Sequence, residues 1–235
     1  MKSSVDEIRA RFDKDVERFS SLETGQSTIG SDAAMVLSLI AKGVALANPH
    51  ASHCLDLGCG AGNYALSVLQ KLPAVAITLV DLSEPMLIRA EERVRSAANV
   101  PIRRIQGDIR EIDLGEEQFD VIVTGGVLHH LRDDHEWKSV FARLFNSLKP
   151  EGSLWVADLI SHEIPAVQKC QWQRYGEYLA SLRDEAYRDA VFATIEREDS
   201  PRPLAWQLDL LRRTGFRMVD VLHKNICFGV YAAVK

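Results

Sequence analysis

Three glycines at alternate positions, Gly58, Gly60 and Gly62, follow an apolar run ending in Asp56, within the stretch CLDLGCGAGNYALSVL from Cys54 to Leu69. Glycine admits positive φ and leaves the backbone open to close approach, so this spacing suits a tight strand-to-helix turn against which a ligand lies. Asp81 stands roughly twenty residues further on, the separation at which a carboxylate accepts hydrogen bonds from both hydroxyls of a nucleoside ribose. Asp108, beside Gly107 in QGDIREI, is suited to accept from an exocyclic amine. His129 and His130, after Gly125 and Gly126, bring the side chain best matched to proton transfer near neutral pH. Plainer alternatives stand beside each: a glycine-rich connection without ligand, a helix-capping Asp81, a solvated turn aspartate at 108, histidines that cap the next helix. Ser83, with Met86 and Leu87 behind it, already supplies a helix start, which leaves Asp81 free for a ligand.

A dinucleotide site is the obvious rival. Its fingerprint needs a third glycine where this chain has Asn63, so that the helix can pack close under a pyrophosphate. The turn therefore fits a ligand with ribose and adenine but no phosphate bridge.

Those residues need elements to hold them at one place. Strands are expected at 53–57, 76–81, 101–106, 119–124 and 153–158, with helices at about 62–71, 84–98 and 135–148 between them. That alternation predicts an α/β fold, a Rossmann-like doubly wound sheet with helices on both faces. Every unusual residue above then falls at the carboxyl end of a strand, where such sheets bind ligands. Before the first strand, 5–22 reads as an amphipathic helix with Ile8, Phe12, Val16 and Phe19 on one face, followed by a polar loop from Glu23 to Asp32. Asp32 is placed to cap a second helix running to about Ala47. After the fifth strand come a long helical pattern over 164–197, a helix ending near Arg213, and strands at 217–223 and 226–234. Those last strands are joined too closely for a helical crossover and must pair antiparallel. The expected organisation is one domain over 1–235. It comprises a helical cap at 1–48, a binding core at 49–160, a helical insertion or lid at 161–199, and a helix with the antiparallel strand pair at 200–235.

The chain of 235 residues is 46% hydrophobic and 26% charged, ordinary for a globular protein with a sizeable core. A net charge of −5 without any basic run weighs against a dedicated nucleic-acid binder. Cys54, Cys59, Cys170 and Cys227 form no CxxC pair and no zinc-like spacing with histidine, so reduced thiols and no metal are expected. The first residues are charged where a signal peptide is apolar, and no run approaches membrane-spanning length, so a cytoplasmic protein without a membrane partner is expected. A monomer or homodimer is the expected state.

DLGCGAGNY, LVDLSEPML, QGDIREI, FDVIVTGGVLHHL and LKPEGSLWVADL, in this order, resemble the successive motifs of the class I S-adenosylmethionine-dependent methyltransferases, over about residues 50–160. The resemblance implies S-adenosylmethionine as cofactor and methyl transfer to a small molecule at O, N or S. It implies that Asp56, Gly58, Gly60 and Gly62 shape the methionine pocket, with Cys59 and Asn63 in the same turn. Asp81 would hold the ribose beside Leu82 and Met86, Asp108 and Ile109 would frame the adenine, and Gly125 would line the site from the fourth strand. His129 and His130 are candidate catalytic residues, or structural ones at the cofactor rim. Trp172, Tyr175 and Tyr178, at helical spacing with Arg174 offset, make either core or an acceptor pocket, since insertions after the fifth strand commonly form lids in this family. The N-terminal helix is expected to meet that insertion over the site. Two other readings stay open: a relative of tRNA wobble-uridine methyltransferases, some of which use a carboxylated cofactor, and a non-catalytic nucleoside-binding protein.

Overall fold

The computed structural model describes residues 2–21 and 32–235. Helices α1 (Val5–Asp13), α2 (Val16–Ser20) and α3 (Ala33–Ala47) precede the first strand. The centre alternates: β1 (His53–Leu57), α4 (Asn63–Leu69), β2 (Ala76–Asp81), α5 (Glu84–Ala97), β3 (Ile102–Gln106) and β4 (Phe119–Gly125). A 3-10 turn (Leu128–His130) then leads to α6 (Asp134–Ser147) and β5 (Leu148–Leu159). The rest comprises α7 (Pro165–Leu182), α8 (Glu185–Glu198), α9 (Leu204–Thr214), β6 (Met218–Asn225) and β7 (Phe228–Val234).

The seven strands lie in the order β3-β2-β1-β4-β5-β7-β6. β1 to β5 pair in parallel, and β7 runs antiparallel to both β5 and β6. Chain order reverses between β1 and β4, which opens a crevice at the carboxyl ends of those strands. The period of two in each strand sends alternate residues to opposite faces. Cys54 of β1 joins Val36, Ile40 and Val44 of α3 on one face, with Ala65 and Val68 of α4 and Leu87 of α5. Leu55 and Leu57 turn to the other face, against Trp137 and Phe141 of α6 and Leu211 of α9.

Three local expectations need correction. The helix expected over 5–22 breaks after Asp13, where the Lys14 N–H folds back to the carbonyls of Arg11 and Phe12. Two short helices then each find a separate anchor, since Asp13 accepts from the Ser83 hydroxyl and the Phe19 carbonyl accepts from the Asn63 amide. Leu22, and the expected loop up to residue 31, lie outside the described residues. Asp32 does not cap α3 with its side chain; its carboxylate accepts instead from His223 Nε2 at 2.6 Å and Asn225 Nδ2 at 3.0 Å on β6. The run over 164–197 is two helices, because Asp184 caps α8 by accepting from the Tyr187 N–H at 2.8 Å.

Phe141 is fully buried beneath the sheet. Phe141→Ala is expected to lower the unfolding free energy by about 3–5 kcal/mol, from lost transfer energy plus a cavity. Denaturant melts of the two proteins check this, with an unchanged m-value showing that both unfold from the same compact state.

Candidate active site

A cavity of about 470 Å³ opens at the carboxyl ends of β1, β2, β4 and β5. Gly58, Cys59, Gly60, Asn63, Asp81, Leu82, Met86, Asp108, Ile109 and Gly125 all line it, as do His129 and His130. The turn after β1 divides its labour. Gly60 has φ +49°, and a Cβ built there meets nothing within 4 Å, so its face is open toward the cavity. Gly58, at φ +66°, is glycine for packing as well, since a Cβ would strike a Val127 methyl at 2.2 Å.

Asp56 is fully buried and lies beneath the turn, outside the cavity wall. One oxygen accepts from the Ala65 N–H at 2.9 Å, while Oδ1 finds no hydrogen-bond partner among the described residues. Burial pushes its carboxyl up to about 7, against the pull of the Ala65 N–H and with help from the charge of Asp81. Asp81 is not free of local partners as the sequence suggested: it accepts from the Gly60 N–H at 2.8 Å and the Ser83 N–H at 2.9 Å. Each oxygen keeps a further lone-pair direction. Burial raises this carboxyl to about 6 in spite of those amides. Ser83 does cap α5, accepting from the Met86 N–H.

Asp108 is not an open acceptor either. Arg110 grips it with Nε at 2.8 Å and its own N–H at 2.9 Å, while also reaching Glu136 at 3.4 Å. Burial works to raise the Asp108 carboxyl, and the Arg110 bonds outweigh it and hold it below the ordinary value. Both partners sit two residues apart in one short motif, QGDIREI.

The histidine corner is held from β5. Asp158 Oδ2 accepts from the Leu128 N–H at 2.6 Å and the Val127 N–H at 3.3 Å, and Oδ1 meets His129 Nδ1. Asp199, just past α8, lies 3.1 Å from His130 Nδ1 and 3.7 Å from His129 Nε2. Burial presses the His129 imidazole toward neutrality, but Asp158 and Asp199 win and lift it to about 9. His130 goes the other way, lowered by burial and by the charge of His129. Neither Asp158 nor Asp199 stands near the histidines in sequence, so no local spacing announced them.

The roof comes from α1, α2 and α8. Arg11 makes a two-armed contact to Glu198, with Nε 3.0 Å from both carboxylate oxygens. Lys2 reaches the Glu196 carbonyl at 2.8 Å, and the Ser3 N–H donates to the Arg197 carbonyl at 2.9 Å. Phe12 sets its edge against His130 at 6.0 Å. Of the four residues expected in an acceptor pocket, Tyr175 alone lines the cavity. Trp172 stacks on Phe192 at 4.8 Å as core between α7 and α8, and Arg174 bonds Gln171 on the helix surface. Tyr178 also lies off the cavity wall. The α8 face replaces them, with Tyr187, Val191, Thr194, Ile195 and Glu198.

Residues 54–152 match the family described as "Methyltransferase domain". A methyltransferase of Mycobacterium bovis is 34% identical over 125 residues, covering 53% of this chain and 58% of its own. Residues 54–152 thus form a methyltransferase domain of the class I S-adenosylmethionine-dependent kind. The chain spans little more than half the length of that mycobacterial relative. A carboxy-S-adenosyl-L-methionine synthase of Chromohalobacter salexigens is 29% identical over 193 residues, covering 78% of this chain and 68% of its own. Among solved structures, the fold is shared with human N-acetylserotonin methyltransferase, at TM-score 0.61 and 17% identity over 97% of this chain and 56% of that one. It is shared too with mitomycin 7-O-methyltransferase, at TM-score 0.64 and 18% identity over 99% of this chain and 61% of that one. For a class I methyltransferase the cavity fits its cofactor: Gly60 and Gly126 face open space, and Asp81 on the wall keeps a further lone-pair direction on each oxygen. Among the described residues, no helix is long and apolar enough to cross a membrane.

Glu198→Gln removes the charge that anchors Arg11 and leaves the sheet untouched. Amide exchange in 2–20 is expected to accelerate at least about tenfold, the effect of losing about 1.5 kcal/mol from a charge-assisted contact, with β1 and β4 unchanged. Exchange followed by mass spectrometry reads both regions at once.

Proposed function

We propose that this methyltransferase moves a methyl group from S-adenosylmethionine to a small molecule, at oxygen, nitrogen or sulfur. The observation that carries this is the single cavity joining Gly60 and Asp81 at one end to His129, His130 and Asp199 at the other, beneath α1, α2 and α8. When bound, the cofactor supplies a methyl carbon on a positively charged sulfur, activated enough that the protein needs only to align and desolvate it. Asp81 accepts from the ribose hydroxyls, Gly60 lets the amino-acid portion lie on the backbone, and Leu82, Met86 and Ile109 give the adenine apolar walls. Cys59, Asn63 and Gly125 complete that half of the pocket. Phe12, Phe19 and Tyr187 keep water from the reacting centre, which strengthens its electrostatics. The histidine corner orients the acceptor's nucleophile, and proximity of this kind is worth several kcal/mol.

A second reading has one observation behind it, the similarity over 78% of the chain to a carboxy-S-adenosyl-L-methionine synthase. A carboxylated cofactor asks for a free cation beside the sulfur. Arg11, Arg18 and Arg110 of the cavity wall are each already ion-paired, to Glu198, Asp15 and Asp108, and Arg183, whose guanidinium lies over the Tyr187 ring, is the arginine of the wall that this second reading would call on.

Thermal shift with S-adenosylmethionine tests the core of the proposal, since ligand at a hundred times its Kd stabilises a fold by about 2.7 kcal/mol. No shift at millimolar ligand would sink it. Asp81→Ala is expected to raise the Kd at least about tenfold, from two lost charge-assisted bonds. Wild-type affinity should itself weaken in acid. Asp81 titrates at about 6 in the free protein and binds hydroxyls as the anion, so protonation competes below that pH. Calorimetry should find the Kd about tenfold higher at pH 5 than at pH 7.5. His129→Ala is expected to cut kcat by about a hundredfold while cofactor affinity stays within about twofold, as for a group acting on the acceptor alone. A labelled-cofactor screen of candidate acceptors supplies the substrate for that assay.

A further inference from the structure

We infer that His129, His130 and Asp199 hold a divalent transition-metal ion at the acceptor end of the cavity. Their donor atoms, His129 Nε2, His130 Nδ1 and a carboxylate oxygen of Asp199, all lie within 4.8 Å of one another. Two separate segments supply them, the 3-10 turn after β4 and the residue following α8. A backbone hydrogen bond of 2.6 Å, from the Ser200 N–H to the His129 carbonyl, ties those segments together. The two segments that carry the donors are therefore held together by main chain.

The spacing is that of ligands around an ion. Donors bonded at about 2.1 Å stand about 3.0 Å apart at octahedral angles and about 3.4 Å apart at tetrahedral ones. Asp199 Oδ1 lies 3.1 Å from His130 Nδ1 and 3.7 Å from His129 Nε2, each within about 0.3 Å of one of those edges. A direct hydrogen bond does not account for the shorter distance. His130 Nδ1 is buried and has no hydrogen-bond partner among the described residues, because the carboxylate oxygen lies within reach but off the ring's bonding direction. An ion between the two satisfies both.

The surroundings complete the pattern. His129 gives its Nδ1 to Asp158, which leaves Nε2 as the edge available to a ligand and fixes the ring's orientation. A carboxylate behind a ligating imidazole is the usual outer support of a metal site. Asp158 and Asp199 also place two carboxylates beside the imidazoles, a charge that a divalent cation balances. Two imidazoles and one carboxylate suit zinc, cobalt, iron or manganese. Three protein donors with the remaining positions facing a cavity is the arrangement of a catalytic ion, not a structural one. The inference rests on the reading that the acceptor reacts at this corner, and it narrows the acceptor to one that reacts through oxygen. A hydroxyl bound to the ion releases its proton to bulk water more readily, as metal-bound water does. Sequence spacing gave no sign of the site because Asp199 joins the histidine pair only in the fold.

Direct binding tests this without any turnover assay. Protein stripped with a chelator and desalted is titrated with cobalt(II) chloride, recording visible absorption, and with zinc chloride by calorimetry. The expected result is about one ion per chain with visible d–d bands. His130→Gln and Asp199→Asn are expected to abolish the bands and weaken zinc binding at least about tenfold, and Asp158→Asn to weaken it by about 10–100-fold. His223→Ala, whose imidazole belongs to the Asp32 pair on β6, should bind as wild type does. Absence of bands and heat in the wild-type protein overturns the site whether or not the variants fold, and so do bands that persist in both ligand variants. S-adenosylmethionine thermal shifts on the same stripped samples judge the cofactor reading separately.

Discussion

A carboxylate buried at the carboxyl end of a central strand must find donors where it stands, and Asp158, 2% exposed, finds four. The Val127, Leu128 and Leu159 N–H groups and His129 Nδ1 all converge on it. Leaving such a charge unpaired would cost several kcal/mol, so the chain after β4 is obliged to curl around it. That obligation turns Leu128–His130 into a 3-10 turn in place of a straight exit from the strand. Leu128 goes into the core beneath the sheet, and both imidazoles are delivered to the cavity. The acidic residue following α8 and the 3-10 turn then meet across the site.

The roof follows from a second pairing of the same kind. Glu198 has only 5% of its side chain exposed and receives the Arg11 guanidinium on both oxygens. Compare Arg95 with Glu91, a pair of adjacent turns on α5 whose arginine is 67% exposed. Solvent screens the latter to a few tenths of a kcal/mol, whereas the former must be kept because breaking it strands a buried charge. The two short N-terminal helices are the geometric answer to having three anchors at once: Glu198 for Arg11, Ser83 for Asp13 and Asn63 for the Phe19 carbonyl. One straight helix cannot reach all three.

These pairings explain what the sequence disclosed and what it withheld. The sheet was legible because burial on both faces writes a period into every strand, and 53–57 and 76–81 coincide with β1 and β2. The glycine turn was legible because positive φ restricts residue type locally. The helix breaks after Asp13 and at Asp184 were not, since the first is fixed by a partner on α5 and the second by a cap inside a run that still reads as helical. The aromatic stripe of α7 misled for a similar reason: Trp172 and Tyr178 have the spacing of a pocket wall, but α8 packs across them and takes over the cavity face. Glu198 and Asp199 carry no local signal at all, because an acidic pair at a helix end is ordinarily solvated.

Charge finally explains why the cavity is arranged as it is. Burial holds the carboxyls of Asp56 and Asp81 near 7 and 6, with help from the charge of Asp81 on the first and of Asp13 on the second. At the other end, Asp158 and Asp199 act together on His129. The glycine-turn end therefore carries more negative charge than its local partners relieve, and ionising it fully in the folded protein costs free energy. A cationic ligand recovers that cost, and recovers more of it than the same ligand would gain in water, because the dipoles around it are already fixed. The strain that the fold tolerates in Asp56 and Asp81 is thus the same property that favours a positively charged ligand at that end of the cavity.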